Sequence, residues 1–244
     1  MSYSDKIILM KKYNDLFIDF DDTLYDTHGN ATLALAELFE CYNWKVNFAA
    51  PEIFYDSYWQ TNVSLWSQYA KGEITRDYLI VERFRRPLSL GKGLSLTREY
   101  CLEVSDKFLQ LNSVKPGVVS GAHELVQYLS AKGYRMHICS NGFHEVQYKK
   151  LTACGLLPYF DTIILSEDAG ANKPSPQFFD YAFRVSGAKL ENTLMIGDNI
   201  ITDIQGAKKA GLDVMFFNPR HEEIAIPETI DYEISSLHEI MSIL

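Results

Sequence analysis

The sequence predicts an α/β protein: a parallel sheet covered by helices on both faces, with an all-helical segment inserted after the first strand. Three observations carry that prediction. Near the N-terminus, Leu16 to Phe20 form a short apolar run that breaks into Asp-Asp-Thr, the pattern of a buried strand ending on carboxylates. Residues 27–112 then have a helical texture with no convincing strand. From Val114-Lys115-Pro116-Gly117 onward, strands and helices alternate. That rhythm belongs to parallel sheets, because each crossover helix lays its apolar side on the sheet.

Taken in order, residues 31–39 (Ala-Thr-Leu-Ala-Leu-Ala-Glu-Leu-Phe) are a run dominated by helix formers. Phe54 to Tyr69 and Arg76 to Phe84 carry aromatics at helical spacing, and Thr97 to Leu111 adds another stripe. After Pro116-Gly117, Ala122 to Ala131 reads as a helix with Gly133 at its stop. A strand from Tyr134 to Cys139 ends at Ser140-Asn141-Gly142, and Phe143 to Ala153 is a helix followed by Gly155. Thr162 to Leu165 is a strand, Ser166 to Asn172 a loop, and Pro176 to Val185 a helix. Thr193 to Ile196 is a strand ending at Gly197-Asp198, Ile200 to Ala210 a helix stopped by Gly211, and Asp213 to Phe217 a strand. Repeats and low-complexity stretches are absent from the sequence.

With 47% hydrophobic residues in 244, the chain can bury a substantial core as one large domain or two small ones. Acidic residues outnumber basic ones by 32 to 23, a formal charge of −9, which disfavours the phosphate neutralisation that grips nucleic-acid polymers. A locally cationic pocket for a small phosphorylated metabolite remains open. Ile7-Ile8-Leu9-Met10, followed by Lys11-Lys12, is too short for a signal-peptide core, and no later run nears the ~18 apolar residues of a membrane span. Cys41, Cys101, Cys139 and Cys154 are far apart with no Cys-x-x-Cys pair, so they read as reduced thiols. The expectation is a soluble cytoplasmic protein, monomer or homodimer, with no membrane partner.

In open α/β sheets, ligands gather beyond the carboxyl ends of the strands. There this chain sets Asp19, Asp21 and Asp22, then Ser140 and Asn141, then Asp198 with Asp203 a little over one helical turn later; Lys173 joins them just before a helix. Each has an ordinary reading alone: turn and cap chemistry for Asp-Asp-Thr and Gly197-Asp198, a plain turn at Ser140-Asn141-Gly142, a solvated lysine at 173. Together they are harder to explain structurally, because carboxylates converging on one sheet edge repel unless a cation neutralises them. Mg²⁺ takes oxygen ligands, usually one or two carboxylates plus substrate phosphate. A hydroxyl, backbone N–H groups and a lysine beside such a site outline phosphoryl transfer.

These residues resemble a known family. Asp19-Phe20-Asp21-Asp22-Thr23 after an apolar strand matches the Asp-x-Asp-x-Thr signature of the haloacid dehalogenase (HAD) superfamily. Ser140 resembles its second motif, Lys173 its third, and Gly197-Asp198 with Asp203 its fourth, in the same order. Residues 65–75, Ser140-Asn141-Gly142-Phe143, Ser166 to Gly170 with Lys173-Pro174, and Ile234 to Glu239 are similar to HAD 5'-nucleotidases of pyrimidine and noncanonical nucleoside monophosphates. Asn172 departs from the small apolar residue common before the lysine. The resemblance implies a Rossmann-like core in two parts, residues 1–26 and 113–244, with an all-helical cap at 27–112. It implies Asp19 as nucleophile, Asp21 as general acid and base, and Lys173 as the charge-balancing catalytic lysine. Asp19, Asp198 and the backbone carbonyl of Asp21 would hold Mg²⁺. Thr23, Ser140 and Asn141 would bind substrate or brace its loop, and Asp203 would support Lys173 or a metal-bound water.

Other features are weaker. Residues 82–87 (Glu-Arg-Phe-Arg-Arg-Pro) could present cations to a nucleotide, but read first as a solvated helix end. Tyr55, Tyr58, Trp59 and Trp66 could stack on a base, though an aromatic stripe usually faces a core; His28 and His144 show no metal spacing. Asp21 argues against a dehalogenase, whose halide leaving group needs no acid. A sugar-phosphate or phosphoglycolate phosphatase shares the core chemistry and is the alternative. A phospho-accepting signalling switch or a metabolite-binding module is the different-class reading.

Overall fold

The computed structural model describes residues 12–223 and 230–244. Residues 7–11 of the N-terminal apolar run lie outside them. The sheet consists of β1 (Asp15–Ile18), β2 (Arg135–Ser140), β3 (Thr162–Leu165), β4 (Thr193–Gly197), β5 (Asp213–Phe217) and β6 (Tyr232–Ile234). All pairings are parallel, in the order β3-β2-β1-β4-β5-β6. β1 is therefore central, flanked by β2 and β4, and the order reverses beside it. That is where the ends of three strands can face one ligand.

Alternation along the strands explains the two-sided core. Leu16, Ile18, Met136, Ile138, Leu194 and Ile196 point to one face, against α5 (Ala122–Ala131) and α10 (Leu237–Ile243). Phe17, Cys139, Met195 and Val214 point to the other, against α8 (Pro176–Ser186) and α9 (Gly206–Lys209). Each fully buried Leu, Ile or Phe among them contributes about 1.5–3 kcal/mol.

Between β1 and β2 lie α1 (Thr27–Cys41), α2 (Pro51–Ala70), α3 (Arg76–Leu88) and α4 (Arg98–Asn112). Their starts follow local chemistry: Asp26, Thr75 and Thr97 accept helix N–H bonds as N-caps, and Pro51 opens α2. The four helices share an apolar cluster that includes Trp44, Phe54, Tyr58, Phe84 and Phe108. The insert leaves and rejoins the sheet at one place, where Asn30 exchanges hydrogen bonds with the backbone of Gly117 and the Tyr25 hydroxyl reaches the carbonyls of Asn112 and Lys115.

Several boundaries differ from the sequence expectation. The stretch Ser166 to Asn172 is not all loop: Ser166–Ala169 forms the helical turn α7, ended by Gly170 in the left-handed conformation. α6 starts at His144 and runs to Ala153. The helix expected at Ile200 begins as a wider π-type turn over Ile200–Gln205, with Asn199 capping two of its N–H groups. All four cysteines are free thiols. Among the described residues, no helix is long and apolar enough to cross a membrane.

Candidate active site

β1 ends at Ile18, so Asp19 is the first residue beyond the strand, still held in register by its N–H on the Ile196 carbonyl (2.9 Å). The chain then makes a helical turn, with Leu24 N–H on Phe20 O, and Asp22 takes the left-handed conformation at φ 60°. This turn swings the Asp21 carboxylate away from that of Asp19, although both line the same cavity.

Lys173 is the hub of the floor. It is 2% exposed, and its Nζ donates to Asp19 Oδ1 (2.6 Å), Asp203 Oδ1 (2.7 Å) and the Cys139 carbonyl (2.6 Å). An ammonium has three donors, and all are used. Although burial disfavours its charge, Asp19 and Asp203 hold Lys173 protonated and its pKa above the usual lysine value. The Asn141 side chain fixes the lysine by accepting from the Lys173 N–H (2.8 Å) and donating to its carbonyl (3.0 Å).

Asp203 reaches this group because residue 197 is glycine. A Cβ there would lie 2.4 Å from Asp203 Oδ2, so any side chain would expel the carboxylate. Asp203 is fully buried, and its Oδ2 also accepts from Asn199 N–H at 3.0 Å. Thr23 donates to Asp198 Oδ1 at 2.9 Å. It is completely buried and absent from the cavity wall, so of the two parts expected of it, substrate contact or loop brace, its position fits the brace, here between the β1 and β4 loops.

Ligand oxygens of Asp19, Asp198 and Asp203 lie within 4.8 Å of one another. Burial, followed by the charges of Asp203 and Asp22, pushes Asp198 up to about 7. Burial likewise raises Asp19 well above the carboxylate range; Lys173 opposes the rise, while Asp203 and Asp198 add to it. One ammonium cannot balance three clustered carboxylates. Converging hard oxygens short of positive charge fit a divalent cation such as Mg²⁺. The Asp21 carboxylate is not part of this group, and only its backbone carbonyl was expected to be a ligand.

Asp21 has its own surroundings. Its Oδ1 accepts from Lys150 Nζ (2.5 Å) and Thr27 Oγ1 (2.9 Å), and its Oδ2 from Gln147 Nε2 (2.5 Å). Burial works to raise its pKa, but Lys150 and these donors outweigh it and keep Asp21 below its ordinary value. Gln147 also donates to Ser140 Oγ (2.6 Å), which accepts from Gly142 N–H (3.0 Å) as well. With both contacts accepted, the Ser140 hydroxyl hydrogen is free to donate toward the cavity. Sequence reasoning missed Thr27, Gln147 and Lys150. The signal for the last two was present: Val146, Gln147, Lys150 and Leu151 share the buried side of α6, where a Gln and a Lys need polar partners.

Above the floor, the cavity holds about 840 Å³ and extends into the insert, lined there by Tyr58, Trp59, Asn62 and Trp66 of α2, Arg83 of α3 and Phe108 of α4. Tyr55 is not on the wall; it packs on Phe39 and Phe54. Arg83 corrects the solvated-end reading: it is 3% exposed, whereas Arg85 and Arg86 pair with Glu82 on the outer face. His28 stacks on Trp59 at 4.2 Å. Asn172 donates to the Tyr69 carbonyl, and Arg76 joins Glu145 and Glu167 while lying 4.2 Å from the Phe143 ring, so insert and sheet close one side of the cavity together.

A parallel sheet with an inserted helical layer, its strand ends gathering a lysine-bound carboxylate cluster beneath a deep cavity, defines a class of α/β hydrolase. The chain belongs to the haloacid dehalogenase-like hydrolases: the model of that family matches residues 16–211. The HAD-hydrolase YfnB of Bacillus subtilis, whose crystal structure is bound to magnesium, is 33% identical, with a TM-score of 0.84 over 96% of this chain and 99% of that one. The pyrimidine 5'-nucleotidase PynA of Streptococcus pneumoniae is 30% identical over 95% of each chain. The pyrimidine 5'-nucleotidase YjjG of Escherichia coli is 31% identical over 96% of this chain and 98% of its own. The protein is an enzyme, which sets aside the signalling-switch and binding-module readings.

Proposed function

We propose that the protein is a Mg²⁺-dependent 5'-nucleotidase that hydrolyses nucleoside monophosphates through an aspartyl-phosphate, pyrimidine forms above purine ones. The observation that carries this reading is one continuous cavity of about 840 Å³ from the Asp19 cluster to the aromatic wall of α2. Sites that enclose whole small-molecule ligands occupy about 300–1,000 Å³; a three-carbon sugar phosphate would leave most of this one to water. Full-length similarity to two pyrimidine 5'-nucleotidases supports the same conclusion.

In this reading, Asp19 attacks phosphorus through Oδ2, the oxygen that Lys173 does not hold. Asp19 and Asp198, with the Asp21 backbone carbonyl, would hold Mg²⁺, which when bound neutralises the acidic floor and the phosphate oxygens. Lys173 keeps Asp19 oriented, Asp203 and Asn141 keep Lys173 in place, and Ser140 donates to a phosphate oxygen. Asp21 protonates the leaving 5'-oxygen and then takes a proton from the water that cleaves the aspartyl-phosphate. Lys150 favours the ionised form of Asp21, and the arriving phosphate's negative charge raises its proton affinity. Lys150 and Gln147 thus act by positioning Asp21. Lys150→Met is expected to lower kcat by about 10- to 100-fold with little change in KM; steady-state kinetics on dUMP check it, and an unchanged kcat would remove Lys150 from the account.

A sugar-phosphate phosphatase is the second reading, favoured by the glyceraldehyde 3-phosphate phosphatase of Methanothermobacter thermautotrophicus, 28% identical over 93% of this chain. The test is kcat/KM for dUMP, dTMP, UMP, AMP, glyceraldehyde 3-phosphate and phosphoglycolate. The pyrimidine nucleotides are expected to lead. A sugar phosphate or phosphoglycolate ahead of every nucleotide by about tenfold, the discrimination a few pocket contacts supply, would overturn the nucleotidase reading and leave the phosphatase chemistry standing.

A further inference from the structure

The insert holds a buried cation with no salt-bridge partner, Asp106 acting on it only through its charge. Arg83 is 3% exposed, and no carboxylate of the described residues pairs with it. Its Nη2 donates to Ser105 Oγ (2.9 Å), and the guanidinium lies 5.3 Å from the Phe108 ring, but its Nε–H is buried with no acceptor. Burying an unpaired charge costs several kcal/mol, and a buried donor left unmade adds to that cost. A fold gains nothing from this arrangement unless something arrives to complete it.

Two buried acceptors on the same cavity are also unmatched: the side-chain carbonyls of Asn62 and Asn112 have no hydrogen-bond partner. Helical spacing sets these groups toward the same space. Trp59, Asn62 and Trp66 follow one another at i, i+3 and i+7 along α2, and Phe108 and Asn112 are one turn apart on α4. The wall therefore offers a cationic donor and neutral acceptors between flat aromatic surfaces. Its complement is a planar group carrying C=O acceptors beside an N–H donor. Uracil and thymine have that edge, with N3–H between the O2 and O4 carbonyls; a plain hydroxylated chain lacks the flat faces, and a carboxylate lacks the donor.

We infer that Arg83, with Asn62 and Asn112, is the specificity-determining set that reads the carbonyl and N–H edge of a uracil or thymine base in the leaving nucleoside. This rests on the nucleotidase reading above and adds the residues that select the base. It also assigns Arg83 no part in the phosphoryl chemistry, which takes place at the sheet edge.

The experiment compares full-length wild type and Arg83→Met, with Mg²⁺, on dUMP, on 2-deoxyribose 5-phosphate as the same ester without a base, and on phosphoglycolate. In the variant, kcat/KM for dUMP is expected to fall about 10- to 100-fold through KM, the effect of losing a charge-assisted hydrogen bond in a dry pocket. The base-free ester should change by less than about threefold, since the groups lost touch only the base. The melting temperature should hold or rise, because an apolar residue replaces an unpaired buried charge. Arg83→Lys, which keeps the charge and loses the fork, should show a smaller fall on dUMP alone. Equal losses on both esters, or no loss on dUMP, would overturn the inference while the nucleotidase reading stands. A loss on phosphoglycolate larger than that on dUMP would overturn it in favour of a carboxylate ligand. If wild type itself turns over dUMP no better than the base-free ester, base recognition and the nucleotidase reading fall together.

Discussion

Asp19→Asn is expected to reduce phosphomonoester hydrolysis to below about a thousandth of wild type while the protein stays folded, because in the proposed mechanism the group lost is the one that bonds to phosphorus. The substitution keeps size and shape but removes the negative charge and the attacking oxygen. Folding should not suffer. Asp19 is buried, shares Lys173 with Asp203, and stands within 4.8 Å of two other carboxylates. Losing one charge from that group relieves repulsion, so the melting temperature should be unchanged or higher. Far-UV circular dichroism with a thermal melt, beside a phosphate-release assay, checks both halves. Substantial turnover in a folded Asp19→Asn protein would remove Asp19 from the chemistry. Asp21→Asn should be nearly as damaging, since both proton transfers use that carboxylate.

Removal of divalent cations is the second large effect. Exhaustive chelation is expected to stop turnover, and added Mg²⁺ to restore it. The same clustering of Asp19, Asp198 and Asp203 gives a readout independent of activity. A cation that binds the folded state and relieves their repulsion stabilises the fold, by about 5–10 °C in melting temperature at a hundredfold excess over Kd for a chain of this size. Asp198→Ala should abolish both the thermal shift and the rescue. Full activity after chelation, with no shift on adding Mg²⁺, would contradict the assignment of these carboxylates as ligands.

Much of the sheet edge was legible because strand ends are announced by abrupt changes of residue type. Asp19, Ser140 and Asp198 each follow or neighbour a short apolar run, and parallel topology brings such ends together, while Lys173 comes from the loop before α8. What spacing could not convey is where each side chain turns once the strand stops. Asp19 and Asp21 would share one side of an extended strand, yet the turn at Asp22 gives them separate partners, Lys173 and Lys150. Thr23, expected to bind substrate or brace its loop, braces Asp198, whereas Asn141 holds Lys173 and also lines the cavity.

In the insert the difficulty was different. An aromatic helix packed on three neighbours has several apolar faces, and periodicity does not say which one borders a cavity. Tyr55 and Tyr58 differ by three positions in one helix, yet only Tyr58 reaches the wall. Arg83 was hidden by its neighbours Glu82, Arg85 and Arg86, whose charges made the whole run look solvated. The i+4 series Leu79, Arg83, Pro87, all buried, separates it from them. β6 and α10 were missed because three strand residues and seven helical ones give little periodicity. The Ser236 capping box with Glu239 was the readable sign of α10.

In the proposed mechanism phosphorus passes through a covalent bond to Asp19, and capturing that bond tests the mechanism most directly. Wild-type protein mixed with dUMP and Mg²⁺, quenched in acid within a turnover and digested, should yield a peptide carrying one phosphoryl group on Asp19 by tandem mass spectrometry. Hydroxylamine, which cleaves acyl phosphates, should remove it, and Asp19→Asn should never acquire it. A phosphoryl group on any other residue, or none at all under single-turnover conditions in which dUMP is fully hydrolysed, would contradict the mechanism.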